Sequence, residues 1–247
     1  MNSTLLALVL PPLLLVPAMG LLSRIRSSNG LAEEWRRKAL HIGTGLVALT
    51  FPFYLTTAWM VIGALCLSLL WMVAVRSVPL LNKRFGCVLH DIDRISHGEL
   101  YYALAIAGLL LATFAEPLLY IIPLSILAIA DAAAAIAGRT FTSRHLSGPF
   151  AGKTVIGCTT FFVVAFSVCV LVLGTSTPLP ITEIALSSIA VAAVTTLIEA
   201  VSRYGLDNIL IPAAAWLVLK ALQLPIYIEA DGVAWLRESV DVLLRGV

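Results

Sequence analysis

Charge is what this sequence has least of. Only 12% of its 247 residues are Asp, Glu, Lys or Arg, while 60% are hydrophobic. Soluble domains carry about 25% charged residues. With a mean hydropathy of +0.99, the chain cannot cover its apolar surface with polar side chains, so lipid must be the solvent for much of it. A net charge of +2 gives no reason to expect a nucleic-acid partner. Cysteine is also sparse: Cys66, Cys87, Cys158 and Cys169 form no CxxC pair, which argues against a disulfide framework or a zinc site. They read as small hydrophobes. The N-terminus lacks a basic n-region, and Arg24 and Arg26 follow its apolar stretch, the wrong flank for a cleaved signal. An internal repeat is missing too, so an inverted-repeat transporter is not supported.

What the chain has is long apolar runs. A helix crosses a bilayer with about 20 apolar residues. Eight runs qualify, at 5–22, 39–55, 58–75, 100–115, 117–137, 154–173, 183–200 and 207–224. Pro11, Pro12 and Pro17 make the first a kinked or partial span. The expected fold is all-α, a polytopic helical bundle forming one integral membrane domain over 1–247.

The basic residues alternate with these runs. Loops one, three, five and seven hold Arg24, Arg26, Arg36, Arg37, Lys38, Arg76, Lys83, Arg84, Arg94, Arg139, Arg144, Lys153 and Arg203. Loops two, four and six hold no Lys or Arg. Positive residues stay in the cytoplasm, so the odd loops are expected there and both termini outside. Residues 76–98 are mixed in polarity and are expected along the cytoplasmic interface. The last segment, 226–247, places Val233, Leu236, Val240 and Leu243 on one helical face. That spacing suggests an amphipathic surface helix or a packed final helix.

Ionisable groups inside a membrane segment are costly and point to function. Asp131 lies about 10 Å inside its helix end, counting 1.5 Å per residue back from Gly138. The alanines that follow it allow close helix approach or room for a ligand. Gly138-Arg139 then leads to Gly152-Lys153-Thr154 at the next helix start, where glycines, a Lys and free N–H groups can hold phosphate. This is no Walker A loop, since Gly148 and Gly152 stand too close together. Arg37, Lys38 and His41 share a helix face at the expected cytoplasmic entrance. Glu99 is placed as a substrate contact or a helix cap. Glu199, spaced to pair with Arg203, and Asp207-Asn208 add two carboxylates at the same membrane level. Carboxylates beside phosphates suit Mg²⁺, and Lys and Arg suit a nucleotide's charges. The residues therefore point to phosphoryl or nucleotidyl chemistry on a lipid, run from the cytoplasm.

Five motifs occur in one order: Arg37-Lys38-x-x-His41, Gly98-Glu99-x-Tyr101, Asp131-Ala132-x-Ala134-x-x-x-Gly138-Arg139, Gly152-Lys153-Thr154 and Asp207-Asn208-x-x-x-Pro212. In this the chain resembles the CTP-dependent polyprenol kinase family over a core of 34–219. That resemblance implies transfer of the CTP γ-phosphate to a membrane lipid alcohol (phytol, farnesol, geranylgeraniol or dolichol). It implies a nucleotide and metal site at Asp131, Arg139 and Lys153, completed by Asp207 and Asn208. The expected site is then Asp131 and His41 for catalysis, with Arg37, Lys38, Gly138, Arg139, Gly152, Lys153, Thr154 and Asn208 on the nucleotide. Asp131, Asp207 and Glu199 are expected on the metal, Mg²⁺ or another divalent cation. The partners are CTP, the lipid alcohol and the bilayer, with a homo-oligomer left open. A short chain without a transit peptide points to a prokaryotic plasma membrane. Two alternatives stand beside this. A CDP-diacylglycerol synthase-like cytidylyltransferase also uses CTP, yet its C-terminal signature is missing, and His90-Asp91-Ile92-Asp93-Arg94 echoes it in the wrong place. A small transporter would need charges deep within several helices.

Overall fold

Proline and charge decide where the helices of this protein stop. The computed structural model describes residues 16–23, 30–89, 98–114, 116–150 and 152–224. Among these, every named element is helical. Residues 16–22 are helical. Eight labelled helices follow: α1 Gly30–Ala48, α2 Ala58–Ser77, α3 Pro79–Leu89, α4 Gly98–Ala112, α5 Pro117–Thr140, α6 Val155–Ser176, α7 Ile181–Val201 and α8 Asp207–Ala221. Of these, α2, α5, α6 and α7 are long and apolar enough to cross a membrane, while α4 is apolar but shorter. The protein is thus an all-helical membrane protein with four such helices among the described residues. The expected first run lies largely outside those residues, and the segment 226–247 lies wholly outside them.

The second run begins and ends earlier than expected. The apolar stretch starts at residue 39, but α1 starts at Gly30 and stops at Ala48. Its polar first turns are helical because they are paired: Glu34 binds Arg37 one turn on, and Lys38 binds Asp131 of α5. Beyond Ala48 the chain turns through a short 3₁₀ element, Phe51–Phe53, that carries Pro52. Within the mixed stretch 76–98, residues Pro79–Leu89 form α3.

The central element is α5. Its most apolar stretch is 72% buried, against 17% for α2 and 22% for α6. It packs on α1 and α6; α6 packs on α7, α7 on α8, α8 on α4, and α4 on α2. Two phenolic hydroxyls fasten this arrangement, Tyr120 donating to the Ala48 carbonyl (2.8 Å) and Tyr102 to the His41 carbonyl (3.1 Å). Leu171, Leu186 and Leu197 stand on the outside, as an apolar solvent permits. In the first third of α5, Pro123 has no N–H to give its own turn. Soon after, Ile126–Ala130 widen into a π-helical turn, closed by the Asp131 N–H on the Ile126 carbonyl. Such turns are frequent at functional sites, and this one ends at Asp131.

Candidate active site

Consider first the inner face of α1. Lys38 and Asp131 are both buried, and the ammonium donates to Asp131 Oδ2. One turn further, His41 Nε2 lies 3.0 Å from the Leu127 carbonyl of the π-helical turn and 3.6 Å from Asp131 Oδ2. A carbonyl only accepts, so Nε2 carries the hydrogen, and Nδ1 is the acceptor of the neutral ring. Tyr102 lies against that ring, with centroids 4.2 Å apart. A Cβ on Gly45, one turn beyond His41, would stand 2.4 Å from the Ala128 Cβ. Only glycine lets α1 come this close to α5.

The mouth is basic. The buried carboxylate of Glu34 binds Arg37 at 2.6 Å and Arg139 at 3.2 Å. Burial works against this carboxylate, but Arg37, then Lys38 and Arg139, hold its pKa below the ordinary Glu value. The two guanidiniums are themselves half exposed, at 49% and 45%, so both can meet a soluble ligand.

Opposite them, the loop between α5 and α6 folds back on itself. Leu146 N–H donates to the Lys153 carbonyl and Val155 N–H to the Arg144 carbonyl. Gly152 takes φ +94°, which L side chains rarely adopt. Thr154 then caps α6 by accepting from the Gly157 N–H at 3.1 Å. A Cβ on Gly138 would come within 2.8 Å of that same Thr154 hydroxyl oxygen. Lys153 donates to Glu199 Oε1 on α7, whose Oε2 is buried without a hydrogen-bond partner. Burial disfavours the Lys153 charge, but Glu199, then Asp207 and Asp131, raise its pKa above the ordinary Lys value. Asp207 at the start of α8 lies near enough to Asp131 to feel its charge. Among the described residues, no three His, Cys, Asp or Glu side chains form a ready-made metal cage.

The ion-pairing side chains among these groups border one cavity of about 1640 Å³. Its charged part is lined by Glu34, Arg37, Lys38, His41, Asp131, Arg139, Lys153, Glu199 and Asp207. Its remainder is an apolar slot between α1, α2 and α4, lined by Val61, Leu65, Trp71, Ile106 and Leu110 among others. Such a shape takes a ligand with an anionic end and a greasy end.

A comparison with curated proteins identifies the phytol kinase of Synechocystis sp. as 30% identical over 191 residues, covering 75% of this chain and 78% of the relative. The chain belongs to the phytol kinase family. No family model and no solved structure matches it.

As a family member, the protein brings together residues scattered over most of its sequence. Arg37, Lys38, His41, Glu99, Asp131, Gly138, Arg139, Gly152, Lys153, Thr154, Glu199, Asp207 and Asn208 all line the cavity. Several are engaged in ways the sequence did not indicate. Glu199 binds Lys153 instead of Arg203; α7 ends at Val201, so Arg203 has left the helix on which four-residue spacing would bring it round. Glu99 binds Arg76 of α2 at 2.7 Å. Asn208 donates its amide to the Gly98 carbonyl at 3.0 Å, tying α8 to α4. Gly138 and Thr154 meet at the α5–α6 contact. Glu34 was not among the expected site residues, although its three-residue spacing to Arg37 is a readable ion-pair signal.

Proposed function

We propose that this protein is a CTP-dependent lipid alcohol kinase. It transfers the γ-phosphate to the hydroxyl of a prenol such as phytol, farnesol, geranylgeraniol or a dolichol. It works at the cytoplasmic face of a prokaryotic plasma membrane, as an eight-span bundle with both termini outside. The observation that carries this reading is the single cavity in which a basic, carboxylate-bearing basin opens into an apolar slot. Kinship with a phytol kinase supports the acceptor class, and the preference for CTP rests on the family resemblance of the motifs.

In this reaction the lipid oxygen attacks the γ-phosphorus, the bond to the bridging oxygen of CDP breaks, and the hydroxyl proton passes to a base. Phosphoryl transfer needs positioning and charge neutralisation more than covalent help. Arg37 and Arg139 receive the nucleotide at the mouth. Lys38 and Lys153 face the transferring phosphate, where fixed positive charge in a dry site acts most strongly. His41 is the base, through Nδ1. Asp131 holds Lys38 and stands on the Nε2 side of His41. The donor set fits Mg²⁺, since the free Glu199 Oε2 is a buried oxygen wanting a partner and Asp207 stands nearby. Glu199, Asp207 and Asp131 would hold the ion together with the nucleotide's phosphates. Once bound, it would neutralise charge on the phosphates.

The test is product identity. Purified protein in bilayers, given a prenol, Mg²⁺ and CTP, yields prenyl monophosphate and CDP in equal amounts. A CDP-lipid formed from phosphatidate under the same conditions would make the protein a cytidylyltransferase instead.

A further inference from the structure

The turn between α7 and α8 carries a side chain that its backbone disfavours. Leu206 N–H donates to the Arg203 carbonyl at 3.1 Å, closing a four-residue turn. The two central residues, Tyr204 and Gly205, both have positive φ, +58° and +85°. Turns with that pattern favour Gly, Asn or Asp at both places. A bulky aromatic residue there is strained, and such strain collects where ligands are held.

The ring is not used for packing, since Tyr204 is 77% exposed. It nevertheless lines the cavity, and its neighbours in the chain place it at the charged part. Glu199, which holds Lys153, precedes it by five residues, and Asp207 follows it by three. Arg203 donates to the Pro149 carbonyl at 3.5 Å, so the turn sits against the loop that carries Gly152 and Lys153. The other Phe, Tyr and Trp rings of the cavity wall, those of Phe51, Trp71 and Tyr102, are buried or half-buried.

A nucleotide whose phosphates lie on Arg139 and Lys153 still has a flat base to place. Every base has a π-face, and an exposed aromatic side chain stacks on it. We propose that Tyr204 is the stacking platform for the nucleobase, set at the rim of the cavity by the strained turn. This rests on the kinase reading above and deepens it. The basic residues bind the phosphates, and Tyr204 adds affinity only when a base is attached to them.

The experiment is a calorimetric titration of the full chain in bilayers with Mg²⁺ and either CTP or inorganic tripolyphosphate, with no alcohol present. Tyr204→Asn removes the ring and suits the left-handed turn. It is expected to weaken CTP binding by about five- to a hundredfold, to bind tripolyphosphate as the wild type does, and to melt no lower. Tyr204→Leu keeps the strain without the ring and loses CTP affinity in the same way. Tyr204→Phe keeps the ring and binds CTP like the wild type. Wild-type affinity for CTP in the Leu variant, or an equal loss for CTP and tripolyphosphate, overturns the platform while leaving the kinase reading intact. If the wild type binds neither ligand, the kinase reading fails and the platform with it.

Discussion

Lys38 and Asp131 lie 93 positions apart and form a buried ion pair that joins α1 to the residue where the π-helical turn of α5 ends. Removing one member of such a pair leaves a buried charge without compensation, at a cost of about 3–5 kcal/mol. Lys38→Met is expected to lower the melting temperature of the purified protein and abolish turnover. The double variant Lys38→Met/Asp131→Leu recovers most of the melting temperature and stays inactive. A double variant that turns over lipid would remove the pair from the chemistry.

His41 is held by the Leu127 carbonyl on one side and the Tyr102 ring on another, so its direction is fixed. As a general base it contributes about 10²–10⁴-fold. His41→Gln should lower kcat by that factor and leave the KM for nucleotide nearly unchanged. A change confined to KM would make His41 a binding residue.

Glu34 clamps Arg37 and Arg139 at the mouth, and its pKa in the folded protein is below the ordinary value of 4.5. A depressed carboxyl pKa stabilises the fold at any pH above the unfolded value, and the contribution fades as pH falls through the folded value. Glu34→Gln should therefore melt earlier than wild type by a constant margin at neutral and mildly acid pH. The margin should shrink only below about pH 4.5. A margin that closes between pH 7 and 6 would point to a different group.

Gly45 meets Ala128 too closely for any Cβ. Overpacking of this kind costs about 1–3 kcal/mol. Gly45→Ala should lower the melting temperature and, by pushing α1 off α5, loosen the Lys38–Asp131 contact and reduce activity. A fully active variant with unchanged melting would show that α1 shifts at no cost.

How much of this could be read from residues follows from the range of each interaction. The spacing of apolar runs placed α2, α5, α6 and α7 within a few residues, because a membrane helix is written locally in hydropathy. The apolar run at 39–55 marked only part of α1, because hydropathy ends where Glu34 to Lys38 begin; that Arg37, Lys38 and His41 share a helix face was readable from their spacing, while the contacts of Glu34 with Arg139 and of Lys38 with Asp131 were not. Asp131 stood out as a carboxylate in an apolar run, but its lysine partner lies across the fold. The Glu199–Lys153 pair was hidden likewise. Neither the π-helical turn before Asp131 nor the slot under His41 has a sequence signature, since the side chains that wall the slot look like any lipid-facing leucines.

The central claim is a γ-phosphoryl transfer to a lipid hydroxyl, and the position of a radiolabel in CTP tests it most directly. The purified protein in bilayers is given a prenol and phosphatidate together, with CTP labelled at the γ or the α phosphate. The account predicts label from the γ position in a prenyl monophosphate and none from the α position in any lipid. Label from the α position appearing in a CDP-lipid would contradict it.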